Sequence, residues 1–140
     1  MAPQSATSLV KLSDSDRVLA DPADDIRGRK VSDPGGEELG RVEDLLIDED
    51  EGKVRFLRVE HGGILGFGAT PSFVPVDAIT DIADETVFVG ESRDRVAGAP
   101  RYDPDLVQGN EYFDQLYGYY GYMPYWGTGY LYPGLPRRRG

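Results

Sequence analysis

Short apolar runs separated by glycine-rich or acidic turns fill the stretch from Gly28 to Ile79. The runs lie at 39–48, 53–60 and 72–77, preceded by the segment Gly-Arg-Lys-Val at 28–31, whose apolar residue is Val31. Apolar runs of this length, bounded by turn residues, are typical of β-strands. The pattern therefore predicts an all-β fold, a small β-barrel.

Turn chemistry predicts how the first strands pair. The residues from Asp33 to Gly36 are Asp-Pro-Gly-Gly, in which proline presets φ at one corner and glycine accepts a positive φ at the next. This turn predicts a hairpin between Arg29–Val31 and a strand that starts near Leu39. The acidic residues from Asp48 to Gly52 predict the following turn.

Side-chain alternation along the strands indicates which faces are buried. In the second strand the alternation is imperfect near Leu45, Leu46 and Ile47, which predicts burial on both faces there. Pro75 has no N–H, so it suits an edge position or a strand end. A last strand is predicted at 86–89, and one or two helical turns are predicted at 91–96, before Pro100.

Composition divides the chain into three parts. Residues 1–25 are a polar, acidic arm in which a Ser or Asp could cap one short helix that ends at Pro22. Residues 26–97 are the predicted barrel. Residues 98–140 form a Tyr-, Gly- and Pro-rich tail, predicted to be largely irregular.

Charge and cysteine content narrow the classes of function. The 140-residue chain carries a formal net charge of −10, which opposes binding to a phosphate backbone and disfavours nucleic acid as a partner. It has no cysteine, so it has no disulfide framework and no thiolate metal site. A secretory n-region and h-region are absent from the first residues, and about 18 consecutive apolar residues occur nowhere. We therefore expect a soluble cytoplasmic protein.

The sequence offers no set of residues for catalysis. His61 is the only histidine, so it lacks the partners for a catalytic triad or a zinc site. A calcium loop of the EF-hand type that began at Asp48 would need glycine at its sixth position, but Gly52 is the fifth. Adjacent carboxylates such as Glu43 and Asp44 point to opposite faces of a strand, which argues against a catalytic pair. We predict that the protein is not an enzyme and has no cofactor, metal or small-molecule substrate.

Two segments are candidates for contact with a partner. Eight tyrosines, one phenylalanine and one tryptophan lie between Tyr112 and Tyr132, with glycines and prolines among them and no steady helical or strand period. Tyrosine provides large amphipathic contacts and glycine provides flexibility, a combination that is typical of adaptable binding surfaces. Three interpretations stay open: folding on a partner, self-association between copies, or packing across the protein's own barrel. The predicted interaction residues of this segment are Tyr117, Tyr119, Tyr120, Tyr122, Tyr125 and Trp126.

The loop from Gly62 to Gly68 is the second candidate. Its glycines do not match a dinucleotide or phosphate loop. Ile64, Leu65 and Phe67 either tuck onto the barrel or form an apolar docking knob. At the end of the chain, Arg137, Arg138 and Arg139 provide weak attraction to an anionic membrane, about 1 kcal/mol for each arginine.

The set of strands and turns resembles the PRC-barrel family, which includes the cytoplasmic domain of one polypeptide of the photosynthetic reaction centre. The resemblance rests on Gly-Arg-Lys-Val at 28–31, Leu-Gly-Arg-Val within 38–48, the apolar run 54–59 and Val-Pro-Val-Asp at 74–77. The resemblance implies an all-β fold of the free-standing type, a small, strongly bent sheet closed into a PRC-type barrel with room for a short helix after the last strand. It also implies a role in docking to other macromolecules. We expect a scaffolding module that makes protein–protein contacts through its tail. The alternatives are a peripheral membrane or photosynthesis-related accessory protein, or an RNA-processing accessory factor.

Overall fold

A computed structural model describes residues 9–14, 25–48, 51–60, 72–99, 109–133 and 135. Its regular elements are seven strands and two α-helices, with 3₁₀ turns at Leu12–Asp14 and Val76–Ala78. In chain order they are β1 (Leu9–Lys11), β2 (Lys30–Ser32), β3 (Glu38–Asp48), β4 (Val54–Glu60), β5 (Ser72–Pro75), β6 (Ile79–Ile82), β7 (Thr86–Val89), α1 (Arg93–Ala97) and α2 (Gly109–Tyr120).

The strands form one curved sheet in the order β5-β4-β3-β2-β7-β6, with β1 paired to β3. Neighbours are antiparallel except β2 and β7, which are parallel. The two outermost strands, β5 and β6, are joined by only Val76–Ala78, a chain length of about 14 Å. A flat sheet would separate them by about 24 Å, so the sheet has to curl. The predicted all-β fold with a strongly bent sheet is confirmed.

Local turn chemistry accounts for the hairpin between β2 and β3. The Asp33 Oδ1 atom accepts hydrogen bonds from the backbone N–H of Gly35 at 2.9 Å and of Glu37 at 2.8 Å. Gly36 has a φ of 89°, a conformation that glycine adopts without strain. The predicted hairpin is confirmed, as is the turn at 48–52, in which the Gly52 N–H donates to the Asp48 carbonyl at 3.0 Å.

The core lies inside the curve of the sheet and extends under the C-terminal segment. Every residue from Asp44 to Asp48 is buried, which confirms burial on both faces at the end of β3. Pro75 ends the edge strand β5, as its missing N–H predicts. Ser92 caps α1 by accepting a hydrogen bond from the Arg95 N–H at 3.2 Å, which confirms the helical turn after the last strand.

Three elements differ from the sequence-based expectation. β1 lies within the predicted acidic arm, where Val10 pairs with Ile47 and Ser13 donates hydrogen bonds to Asp44. β6 pairs with β7 and was not predicted. The helix α2 spans twelve residues of the tail that was predicted to be largely irregular. β1 and α2 are stabilised by residues distant in sequence, so local pattern alone indicates them weakly. β6 instead pairs with the neighbouring strand β7 across a turn of three residues.

Candidate interaction surface

The buried face of α2 completes the core. Tyr112, Leu116, Tyr117 and Tyr120 follow one another at helical spacing and are all buried. The Phe56 ring in β4 lies 5.0 Å from the ring of Phe113 and 4.9 Å from that of Tyr117. A large part of the aromatic content of this segment therefore packs against the barrel.

A glycine ends α2 and redirects the chain. Gly121 has a φ of 84°, and its N–H donates to the Tyr117 carbonyl at 2.8 Å. This is the usual left-handed termination of a helix. The next residues turn again where the Gly127 N–H donates to the Pro124 carbonyl at 2.9 Å. We call the stretch from Gly121 to Tyr132 the C-terminal strap.

Arg55 holds the strap to the barrel. Its guanidinium carbon lies 4.3 Å from the ring centroid of Tyr125 and 5.2 Å from that of Tyr132. Its Nε donates to Asp48 Oδ2 at 2.7 Å, in an ion pair whose side chains are 5% and 1% exposed. Burial by itself lowers the pKa of Arg55, but the hydrogen bond and charge of Asp48, together with Tyr130 and Glu51, leave that pKa above its ordinary value. A permanent cation thus supports two tyrosine rings.

A second polar anchor joins the strap to the 3₁₀ turn Val76–Ala78, which follows β5. The Tyr130 hydroxyl donates to Asp77 Oδ2 at 3.0 Å. Among the described residues, the buried Asp77 Oδ1 atom and the buried Tyr117 hydroxyl have no hydrogen-bond partner. Loss of hydration raises the pKa of the Asp77 carboxyl, and burial together with the charge of Asp77 raises the pKa of Tyr117.

The helix α1 supplies a third anchor. The Tyr119 hydroxyl donates to the Arg95 carbonyl at 2.7 Å, and the guanidinium of Arg95 lies 4.6 Å from the Tyr119 ring centroid. The Tyr122 hydroxyl donates to Glu91 Oε2 at 3.4 Å. Through these contacts the end of α2 and the start of the strap are fixed.

The strap exposes two large apolar side chains to solvent. Within the part of the chain that the structure describes, the exposed large hydrophobic residues are Met123, 50% exposed, and Leu131, 85% exposed. Both line one shallow cavity of about 230 Å³. Its other lining residues are Asp77, Gly129 and Tyr130. We call this region the Met123–Leu131 surface.

The predicted interaction residues separate into two groups. Tyr117 is fully buried and Tyr120 is 5% exposed, so both lie in the core. Tyr119, Tyr122, Tyr125 and Trp126 are half-buried and pack against it. In this structure the C-terminal segment packs across its own barrel, the third of the three interpretations. Replacement of all six residues by serine, which would leave the barrel intact if the segment were a free tail, would therefore damage the core.

Other predicted residues lie outside the described part of the chain. These are the loop residues Ile64, Leu65 and Phe67, the histidine His61, and the terminal arginines Arg137, Arg138 and Arg139. The apolar docking knob and the membrane contact stay predictions.

Sequence reasoning missed the residues that hold the strap. Arg55 is a cation between the apolar neighbours Val54 and Phe56, a signal that the strand is covered on both faces. Asp77 ends the Val-Pro-Val-Asp motif, but the identity of its partner Tyr130 needs the fold. Nothing in residue type distinguishes exposed Leu131 from buried Leu116.

The described residues were also compared with the requirements of a metal site and of a membrane-spanning helix. They contain no cluster of three or more His, Asp or Glu side chains placed to hold a metal ion. Their helices are also too short and too polar for any of them to cross a bilayer.

Comparison with known proteins agrees with the architecture. No curated protein matches the chain significantly. A family model described as the PRC-barrel domain matches residues 20–96, more than half of the sequence. The match spans β2 to β7 and most of α1, the elements that form the curved sheet and its adjoining helix. The chain belongs to the PRC-barrel domain family.

Proposed function

We propose that this chain is a non-enzymatic binding module that docks a protein partner through the Met123–Leu131 surface. PRC-barrel domains typically serve as small binding or scaffold modules. The observation that carries the proposal is the 85% exposure of Leu131 beside half-exposed Met123, at the rim of one shallow cavity. Solvent-exposed apolar side chains grouped on one surface are typical of docking sites.

The strap gives this surface a fixed shape. Arg55 supports Tyr125 and Tyr132, the Tyr130 hydroxyl is bonded to Asp77, and the Trp126 ring packs edge-on against Tyr117 at 5.6 Å. A surface that is already ordered loses little conformational entropy when it binds. Methionine, tyrosine and tryptophan are also the residue types that are enriched in protein interfaces.

Charge favours a different protein over a second copy of this chain. With a formal net charge of −10 on each copy, two copies repel at low ionic strength. A partner with a neutral or basic rim around an apolar anchor meets no such barrier. The expected complex is therefore a heteromeric one.

The test uses the full chain with Met123→Ser and Leu131→Ser combined. A partner crosslinked to the native chain in host-cell extract is purified, and its dissociation constant is measured by calorimetry. We expect at least tenfold weaker binding for the double variant, because truncating an interface anchor typically costs more than about 1.4 kcal/mol. The variant Leu131→Met keeps the apolar area and should bind like the native chain.

Two outcomes would contradict the proposal. One is equal affinity of the native chain and the double variant for the purified partner. The other is a native mass that rises with concentration in light scattering and returns to the monomer value in the double variant, which would identify a second copy as the occupant.

A further inference from the structure

A separate groove crosses the barrel between β1 and α2. Its volume is about 300 Å³, and it shares no lining residue with the Met123–Leu131 surface. Five different elements contribute to it, so the fold builds it from residues distant in sequence. Its lining residues are Leu9 and Lys11 of β1, Leu46 of β3, Arg58 of β4, Phe73 of β5 and Phe113 of α2.

The walls of this groove are apolar and partly accessible. Phe73 and Phe113 are half-buried, with ring centroids 6.2 Å apart in an edge-to-face arrangement. Leu9 is half-buried as well and lines the groove together with the two rings. Apolar surface that keeps contact with water in a concave site gains free energy when an apolar group covers it.

Two cations, Lys11 and Arg58, line the same groove. This is unusual in a chain that has 25 acidic and 15 basic residues. Arg58 pairs through Nη1 with Glu43, whose side chain is 35% exposed. Within the described residues, the other guanidinium donors of Arg58 make no hydrogen bond. Those donors suit a planar carboxylate, which a guanidinium binds through two parallel N–H bonds.

We propose that this groove binds a small carboxylic acid with an apolar body. The carboxylate lies against Arg58 and Lys11, and the apolar body lies between Leu9 and the rings of Phe73 and Phe113. A volume of 300 Å³ is at the lower limit of ligand sites, which matches one aromatic ring or a short alkyl chain. The ligand class follows from the combination of apolar walls and a guanidinium that already holds one carboxylate.

Glu43 makes this proposal specific. Its carboxylate is already paired with Nη1 of the Arg58 guanidinium and repels an incoming anion, so the native chain binds the ligand weakly. Glu43→Gln removes that charge and keeps the size of the side chain. The proposal therefore expects a gain of affinity from this substitution.

The test is a titration of the full chain with 4-phenylbutyrate, followed by the backbone amide signals of Leu46, Phe73 and Phe113 in nuclear magnetic resonance spectra. We expect saturable shifts, at least tenfold weaker binding after Arg58→Met, and several-fold tighter binding after Glu43→Gln. Lys11→Met should also weaken binding, and it supplies the same test if Arg58→Met does not fold. Arg93→Met removes an exposed cation of α1 outside the groove and should leave affinity unchanged.

Three results would overturn the proposal. The first is the absence of saturable shifts up to about 10 mM ligand, a concentration that corresponds to a binding free energy of only about −3 kcal/mol. The second is equal affinity for the neutral 4-phenylbutanol, which would mean an apolar site without anion recognition. The third is binding of phenyl phosphate at least tenfold tighter than that of 4-phenylbutyrate, which would assign the site to phosphate esters.

Discussion

Helix α2 and the strap that follows it are similarly rich in tyrosine, but they meet the barrel in different ways. α2 buries Tyr112, Leu116 and Tyr117 completely, so its attachment is apolar packing. The strap has no fully buried tyrosine and is held by polar anchors. The chief anchors are the Arg55 guanidinium, which contacts two tyrosine rings, and Asp77, which accepts a hydrogen bond from Tyr130. Tyrosine thus serves as a core residue in one region and as an amphipathic surface residue in the other.

Within this one segment, α2 therefore contributes mainly to stability, and the strap contributes mainly to the proposed binding surface. Packing at α2 is non-directional and removes a large area from water, so its loss affects the whole fold. The strap contributes a few directional contacts and presents Met123 and Leu131 outward. Substitutions in the two regions should therefore have very different effects on the free energy of unfolding.

The largest effect should come from ending the chain at Pro104. This deletion removes α2 and the strap, and it exposes Phe56, which is fully buried in the complete protein. We expect the free energy of unfolding to fall by about 5 kcal/mol or more, since several side chains worth about 1.5–3 kcal/mol each lose their burial. Urea denaturation of both chains, followed by circular dichroism, measures the difference.

That result also bears on measurements of mass. A truncated chain with exposed Phe56 is expected to self-associate through its damaged core, so the mass of the truncated chain alone does not report on partner binding. If the shortened chain unfolds at the same urea concentration as the complete one, α2 is not part of the core.

Next in size is the substitution Tyr117→Ser. Tyr117 is fully buried against Phe56, and replacing a large buried aromatic residue by a small one costs about 3–5 kcal/mol. Tyr119→Ser is the matched control two residues away, where the ring is half-buried and packs on Arg95. We expect the control to lose about 1 kcal/mol in the same denaturation experiment.

A third prediction concerns Arg55, the cation under the strap. Arg55→Met removes the support of Tyr125 and Tyr132 and leaves Asp48 buried without its ion-pair partner. We expect a loss of about 3 kcal/mol, the usual result of removing one member of a buried pair. Lys53→Met is the control, because Lys53 also lies over Tyr132 but its side chain is 37% exposed, and we expect it to lose less than about 1 kcal/mol. Equal losses would show that the strap does not depend on the buried cation.

Tyr117→Phe returns to the core helix with a smaller change. The Tyr117 hydroxyl is buried without a partner among the described residues, so its removal relieves the cost of a buried unsatisfied donor. We expect the variant to equal or exceed native stability, by up to about 1 kcal/mol in urea denaturation. A clear loss of stability would mean that the hydroxyl is hydrogen-bonded in solution.

How far the sequence predicts these elements depends on how local their causes are. The turn at Asp33–Gly36 and the strand end at Pro75 follow from their own residues, because φ and a missing N–H are local properties. α2 was missed although its buried residues have helical spacing. Gly118 inside the helix and Tyr119 on its outer side masked the period, since aromatic residues occupy both faces.

The candidate surface was harder to predict than the fold. The sequence identified the right segment, but Tyr117 and Tyr120 turned out to be buried, while Met123 and Leu131 were not chosen. Which tyrosine faces the core depends on where Gly121 ends the helix and on which ring Arg55 supports. These contacts join residues that are distant in sequence, so the sequence alone does not predict them.

The smallest effect should be a pH dependence at Asp77. Loss of hydration raises the pKa of this carboxyl above its ordinary value of 3.8, so the folded protein binds this proton more tightly than the unfolded chain. The stabilising contribution of protonated Asp77 is complete below pH 3.8 and is lost as the pH rises through the raised pKa. Asp77→Asn cannot ionise and should therefore gain stability relative to the native chain as the pH rises across this window.

The measurement is the difference in the free energy of unfolding between native protein and Asp77→Asn at several pH values from about 3 to 7. Other carboxylates titrate equally in both proteins, so the difference isolates Asp77. Asp84→Asn, which replaces an exposed acid in the turn between β6 and β7, is the reference for an Asp-to-Asn replacement at an exposed site. A difference for Asp77→Asn that is flat, or that falls with rising pH, would mean that the Tyr130 hydrogen bond and the Arg55 charge outweigh the loss of hydration. The strap would then be held by an ionised carboxylate that the fold stabilises.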